Sequence, residues 1–284
     1  MRADLETAET ENGPKPTRKG NQSLVTGFQI IDFLLKQGKA VPLRDISKGT
    51  GIASSKLQFY LISLIEVRVV HQDPESGYYG LGPYTLQLGI AGLQQFDIFD
   101  AARPRLDDFA NEHGQSVFMG VWGNQGPTIV HRVSGHYSRT LLELRLGSVL
   151  PVLRSALGRV MFAYFPDDVT KPYIDRELSD TNQMIADVDP EMPAPRSAAS
   201  LRDLRSAIKS IGMSRSRGGL LSDHTAVSAP IFDYRGKIIA GITVMGPVNG
   251  MDDSFDGPVA ADLRRVAEEV SQEAGASTTH YLHI

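Results

Sequence analysis

The sequence predicts an α+β protein in two parts: three short helices with a β-hairpin, then a connecting helix and an antiparallel sheet with helices packed on it. Three observations carry this. The chain has 284 residues, which at roughly 100–200 residues per domain points to two domains rather than one. Its first third sets apolar residues at helical spacing and ends in two short β-prone runs around a Pro- and Gly-containing turn. The remainder alternates hairpin-linked strands with amphipathic helices.

In the first part, Leu24, Phe28, Ile31 and Leu35 form one helical stripe that Gly38 stops. A short second helix fits Leu43 to Lys48 and ends at Gly49-Thr50-Gly51. A third, capped by Ser54 or Ser55, carries Leu57, Leu61, Leu64 and Ile65 on one face. Val69-Val70-His71-Gln72 and Tyr78-Tyr79-Gly80-Leu81 then flank Asp73-Pro74-Glu75-Ser76-Gly77, a hairpin. Helix-helix-helix-hairpin is the order of a winged helix-turn-helix.

A third helix in a major groove would meet DNA with the residues turned away from its leucine stripe: Ser54, Ser55, Lys56, Gln58, Phe59 and Tyr60, joined by the basic Arg44 of the second helix. Gln58 suits an adenine edge, Lys56 a guanine or a phosphate, and the serines phosphate oxygens. Phe59 either contacts a thymine methyl or packs beneath the hairpin. The other reading of the module is a three-helix core that binds protein.

Tyr84, Leu88 and Leu93 follow at helical spacing as a connecting or surface helix, then Ile98, Ala102, Leu106 and Phe109 on a charged amphipathic one. Strands are expected at Ser116 to Trp122, Thr128 to Val133, Arg139 to Leu146, Ala226 to Phe232 and Lys237 to Met245. Helices are expected at Ala156 to Phe165, Leu201 to Ile211 and Leu263 to Val270, and a loop at Thr181 to Ser197. The resulting division is a disordered tail over 1–20, a DNA-binding domain over 21–82, a linker helix over 83–96, a second domain over 97–277 and a tail over 278–284.

Composition narrows the function. With 41% hydrophobic and 22% charged residues the chain is neither disordered nor fibrous. It has no cysteine, so no disulfide, thiolate zinc site or cysteine nucleophile exists. Lacking an apolar stretch of about 20 residues and a signal-peptide core, it is expected in the cytoplasm with no membrane partner. The net charge of −4 argues against nucleic acid until it is divided. Residues 21–82 hold six basic and five acidic side chains, and residues 83–284 hold 19 and 24, so the acid lies in the second domain.

Gly-x-Ser-x-Gly, phosphate-loop and Gly-x-Gly-x-x-Gly patterns are all missing. His280 and His283 sit in the terminal tail, so no metal site and no cofactor is expected. His131 is either a ligand-binding group or a structural histidine, and Trp122, the only tryptophan, is either a pocket lining or core.

At several of these residues the sequence resembles the IclR family of bacterial transcription regulators. Asn21-Gln22-Ser23-Leu24, Thr50-Gly51-Ile52 and the run Gln72 to Gly82 match its DNA-binding domain, with Phe59 standing where the family usually has a basic residue. Val121-Trp122-Gly123-Asn124, Leu146-Gly147-Ser148, Leu150-Pro151, Ser155 to Arg159, Ala229 to Asp233 and Gly246-Pro247 match landmarks of its effector-binding domain. The resemblance implies a GAF/profilin-like effector domain, double-stranded DNA with a palindromic operator as partner, and a homodimer or tetramer paired partly through the linker helix.

The resemblance also implies a ligand site at Leu150, Ala156, Leu157, Ser216, Ala226, Thr243 and Met245, with Ser216 lying before the late strands. Period two supports Thr243 and Met245 sharing one strand face, with Ile242 and Val244 on the other against helices. Relatives that bind small oxo-acids carry an acid at the Ser216 position and small polar groups at those of Ala226 and Met245. The implied effector is therefore larger and less polar than pyruvate: an aromatic or other carboxylate of a degradation pathway. Its anionic group suits the N–H groups at the start of the Ala156 helix, with Arg154 or Arg217 nearby. The competing reading is an enzyme or small-molecule-binding protein whose winged helix only docks.

Overall fold

The structure, a computed structural model, describes residues 20–136, 144–179, 189 and 191–277. The expected N-terminal tail up to residue 19, the tail from 278 with His280 and His283, and most of the expected strand at Arg139 to Leu146 and loop at Thr181 to Ser197 lie outside these. The chain divides between Gln94 and Gln95 into two compact units.

In the first unit, α1 (Gln22–Gln37) begins where Asn21 Oδ1 accepts the Ser23 N–H at 2.9 Å and ends at Gly38, whose φ of 63° is the left-handed turn a side chain resists. α2 (Leu43–Thr50) ends likewise at Gly51, and α3 (Ser54–Glu66) follows. Neither Ser54 nor Ser55 caps α3. Both lie inside the helix, and the cap position belongs to Ala53, which has no side-chain acceptor. Ile30, Leu34, Ile46, Leu57, Leu61 and Val70 form the core. The stripe Leu24, Phe28, Leu35 is instead exposed, because Ile30 and Leu34 present a second apolar face that meets α2 and α3. β1 (Val70–Gln72) and β2 (Tyr79–Leu81) pair as the wing, its turn held by Asp73 Oδ1, which accepts from the Glu75 and Ser76 N–H groups. α4 (Pro83–Gln95) carries exposed Tyr84, Leu86, Leu88 and Ile90.

The second unit is one antiparallel sheet in the order β4-β3-β7-β6-β5. Its strands are β3 (Ser116–Gly123), β4 (Gly126–Val133), β5 (Ser214–Arg217), β6 (His224–Phe232) and β7 (Ile238–Pro247). On one face Val117, Met119, Ile242 and Val244 pack against α5 (Ile98–His113) and α9 (Pro258–Glu273). On the other lies α6 (Ala156–Tyr164), backed by α7 (Asp167–Ser179) and α8 (Ala198–Ile211). α7 and β5 escape the sequence reading. Pro172 disguises the first, and the second is a four-residue Ser-Arg-Ser-Arg run with no apolar alternation. The described end of the expected strand at Arg139 to Leu146 leads into a turn, held to β4 by a bridge from Val149 to Thr128 and by backbone hydrogen bonds of Ile129 with Gly147 and Ser148.

Candidate nucleic-acid interface and ligand site

α3 turns Leu57 and Leu61 into the core, so Ser54, Ser55, Lys56, Gln58 and Phe59 all face solvent, as the winged-helix reading expects. Tyr60 is half-buried, with Lys56 Nζ 6.0 Å from its ring centre. Arg44 projects from α2 with its guanidinium 3.3 Å from Asp45. Phe59 is 75% exposed and does not pack beneath the hairpin, because Val70 of β1 meets the leucine side of α3. Sequence reasoning missed Ile62, one turn further on and 63% exposed. Phe59 and Tyr60 also line a groove of about 580 Å³ with Leu24 and Phe28 of α1.

The ligand-site candidates fall into cross-strand rows on the α6 face of the sheet. Ser216, Ala226 and Met245 lie side by side across β5, β6 and β7, and Ser228, Thr243 and Phe118 form the next row. In the row after that, Gly120 and Gly241 have no side chain, and the Leu157 methyls of α6 occupy the space a Cβ would need. Leu150, Ala156, Leu157, Ala226 and Met245 belong to one buried cluster, against which Leu220 and Leu221 of the β5–β6 loop pack. Ser216 is thus on a strand, not before the strands, and faces Ala226.

The polar groups of this face are largely committed to the protein itself. Ser216 Oγ donates to Arg154 O and Ser214 Oγ to Ala156 O, both at 2.6 Å, which pins the approach to α6 against the edge strand. Thr243 Oγ1 donates to Ser228 Oγ (2.9 Å), which donates to Ile242 O. At the start of α6, Ser155 Oγ accepts the Gly158 N–H. Glu177 of α7, another residue missed in sequence, accepts from the Val152 and Leu153 N–H groups, and its burial pushes its carboxyl above the usual range. Among the described residues these rows carry hydroxyls and apolar groups.

Two candidates lie away from the Ser216–Ala226–Met245 row. His131 pairs with Met119, whose side chain lies on the opposite face with α5 and α9, so His131 cannot line the rows. A bulge at Met119/Gly120 offsets the β4 pairing, a break invisible to a period-two reading. Trp122 lies six residues from Ser116 on β3, about 20 Å from the Met245 row. It is half-buried and packs between Phe165 and Tyr173, with ring centres 5.1 and 5.3 Å away, against the cluster that holds Leu150 and Leu157.

Residues 23–74 match the IclR helix-turn-helix domain, and residues 90–272 match the C-terminal domain of bacterial transcriptional regulator IclR. The chain belongs to the IclR family. The HTH-type transcriptional regulator XynR of Escherichia coli is 24% identical to it over 267 residues, 92% of this chain and 97% of that protein. The crystal structure of HmgR from Pseudomonas aeruginosa is similar with a TM-score of 0.76 at 29% identity, over 91% of this chain and 100% of that one. An IclR homologue of Microbacterium hydrocarbonoxydans, crystallised with 4-hydroxybenzoate, shares the fold at 19% identity and a TM-score of 0.51, over 90% of this chain and 100% of its own. As an IclR-family protein the chain is a DNA-binding transcriptional regulator, not an enzyme, with a helix-turn-helix domain followed by an effector-binding domain. No described helix is long and apolar enough to cross a membrane.

Proposed function

We propose that this IclR regulator acts in the cytoplasm as a homodimer or tetramer on a palindromic operator, and that a carboxylate with an aromatic or similarly large apolar body sets its operator affinity. The observation that carries the effector class is the row Ser216–Ala226–Met245 beside Thr243. Two of its three side chains are apolar, and the hydroxyls of Ser216 and Thr243 already donate within the protein. A small oxo-acid would find few free donors there, whereas a ring gains from the buried Leu157, Ala226 and Met245. The Ala156 and Leu157 N–H groups open α6 and suit the carboxylate. That the Microbacterium homologue holds 4-hydroxybenzoate fits a ring-bearing acid on this fold.

Control follows from linkage: the effector changes DNA affinity only as far as it binds one arrangement of paired winged helices better than another. Pairing itself is supported by the uncovered apolar face of α4. Titration calorimetry against aromatic carboxylates and against pyruvate and glyoxylate tests the effector. Micromolar binding of an aromatic acid with pyruvate inert is expected, and the reverse order overturns the proposal. A gel shift on the DNA upstream of the protein's own gene, with and without that acid, tests the linkage.

A further inference from the structure

We propose that α3 reads thymine methyl groups, with the Phe59 ring as the contact. This rests on the reading of α3 as the helix that enters the major groove. At 100° per residue, Ser55, Phe59, Ile62 and Glu66 run along the line of α3 opposite Leu57, Leu61 and Leu64. The middle of that line is apolar, since Phe59 and Ile62 are its most exposed large side chains. Polar groups surround it: Ser55 and Gln58 on the same helical turn, Lys56 beside them, and Ser63 beyond.

A phenyl ring at the centre of such a surface cannot serve a phosphate, which needs a donor. Nor can it pair with base-edge nitrogens or oxygens. The one apolar group a base pair presents in the major groove is the 5-methyl of thymine. A ring held there removes the methyl from water, while Lys56 and Gln58 on either side remain free for neighbouring base edges or phosphates. The ring is also pre-placed, because Leu57 and Leu61, either side of it in sequence, are fully buried and fix the helix orientation. Burying one methyl gives about a fourfold gain in affinity, and two symmetric half-sites give about fifteenfold.

The test uses the full-length protein and the tightest duplex selected from a random pool. Each thymine is replaced in turn by deoxyuridine, which deletes only the methyl group, and affinity is read at fixed salt. The expected result is one or two positions per half-site where deoxyuridine weakens the wild type about fourfold, and no such penalty in Phe59→Ala. Because Phe59 is exposed, that variant keeps its fold, and a circular dichroism melt checks it. Tight binding indifferent to deoxyuridine at every position overturns the inference and leaves α3 as the DNA helix. An equal penalty in Phe59→Ala also overturns it, assigning the methyl to another residue. If the Phe59 groove instead seats a second copy, Phe59→Ala shifts the sedimentation-derived association constant while deoxyuridine stays neutral, which again overturns it. Absence of saturable binding to any duplex at low salt removes the DNA reading of α3 and this inference together.

Discussion

Arg159 of α6 donates through Nη1 to the backbone carbonyl of Arg215 on β5 at 2.7 Å, tying the helix above the ligand rows to the edge strand below them. The same guanidinium reaches Leu153 O and Met192 O. Arg215 in turn donates to both oxygens of Asp189 and to Glu191. Both arginines are 1% exposed, so neither can exchange these bonds for water.

Replacing Arg159 with methionine leaves three buried carbonyls short of their donor while filling much of the volume. Each loss is worth about 1–3 kcal/mol, and they share one site, so a total of about 3–5 kcal/mol is expected. Trp122 lies in the second unit and is the only tryptophan, so its fluorescence reports the unfolding of that unit alone. A urea midpoint for Arg159→Met within error of wild type would show the clamp to be dispensable.

Acid should weaken the second unit through a second pair of ions. Burial raises the Asp253 carboxyl, but hydrogen bonds from Arg217 and Thr225 and the charges of Arg217 and Arg215 outweigh it and hold the group below the usual carboxylate value. Asp189 is lowered in the same way by Arg215. A depressed carboxylate contributes stability that is complete above its unfolded value of about 4 and is lost as pH falls through the lower folded value. Urea stability followed by Trp122 should therefore drop below pH 4. Asp253→Asn should cost about 2–4 kcal/mol at pH 7 and flatten that drop. An unchanged acid slope in the variant would move the origin of the effect elsewhere.

The ligand rows give a specificity prediction. Changing both Ala226 and Met245 to serine adds two hydroxyls to the row beside Ser216 and removes the thioether side chain that is 2% exposed. Losing that apolar contact amounts to about 1.5–3 kcal/mol, or roughly 10- to 100-fold in affinity for an aromatic acid. Calorimetry should show this loss together with a gain for a small oxo-acid. Equal losses for both classes would mean that the rows set stability rather than choice of ligand.

Self-association should run through the uncovered apolar face of α4. Leu88 is 52% exposed and does not stabilise its own unit by burial. Leu88→Lys should leave the melting of the first unit within about 0.5 kcal/mol of wild type, as surface changes do. Sedimentation should show a shift towards monomer, and operator affinity should fall at least tenfold once the second half-site loses its effective concentration. A variant that remains fully associated would exclude that face.

The order of elements was legible because each carries its own signal: Gly38 and Gly51 stop helices, and two β-prone runs on either side of the turn Asp233-Tyr234-Arg235-Gly236 mark β6 and β7. Thr243 and Met245 share one strand face, as period two indicates beside the resemblance that selected them. What failed needed information from another part of the chain. The face of α1 that is buried depends on α2 and α3, and two apolar stripes on one helix look equivalent in sequence. His131 was left open between ligand binding and structure because a single bulge between β3 and β4 decides which face it shares. Glu177 and Arg159 carry no local signal of burial, because their partners lie elsewhere in the chain: the Val152 and Leu153 N–H groups for Glu177, and the Leu153, Met192 and Arg215 carbonyls for Arg159.

Salt dependence follows from the charge distribution. Residues 21–82 carry one net positive charge, and the exposed basic groups expected on the DNA face are Lys56 and Arg44. Each phosphate neutralised contributes about −0.9 to the slope of log affinity against log salt, so two contacts per subunit give a dimer slope of about −3 to −4. Lys56→Ala should weaken binding to all duplexes alike and make the dimer slope less steep by about two, one contact from each subunit. If that variant lost affinity only for particular base pairs, with the slope unchanged, Lys56 would be a base reader rather than a phosphate anchor. Wild-type slopes near −8 would point to basic residues beyond these two.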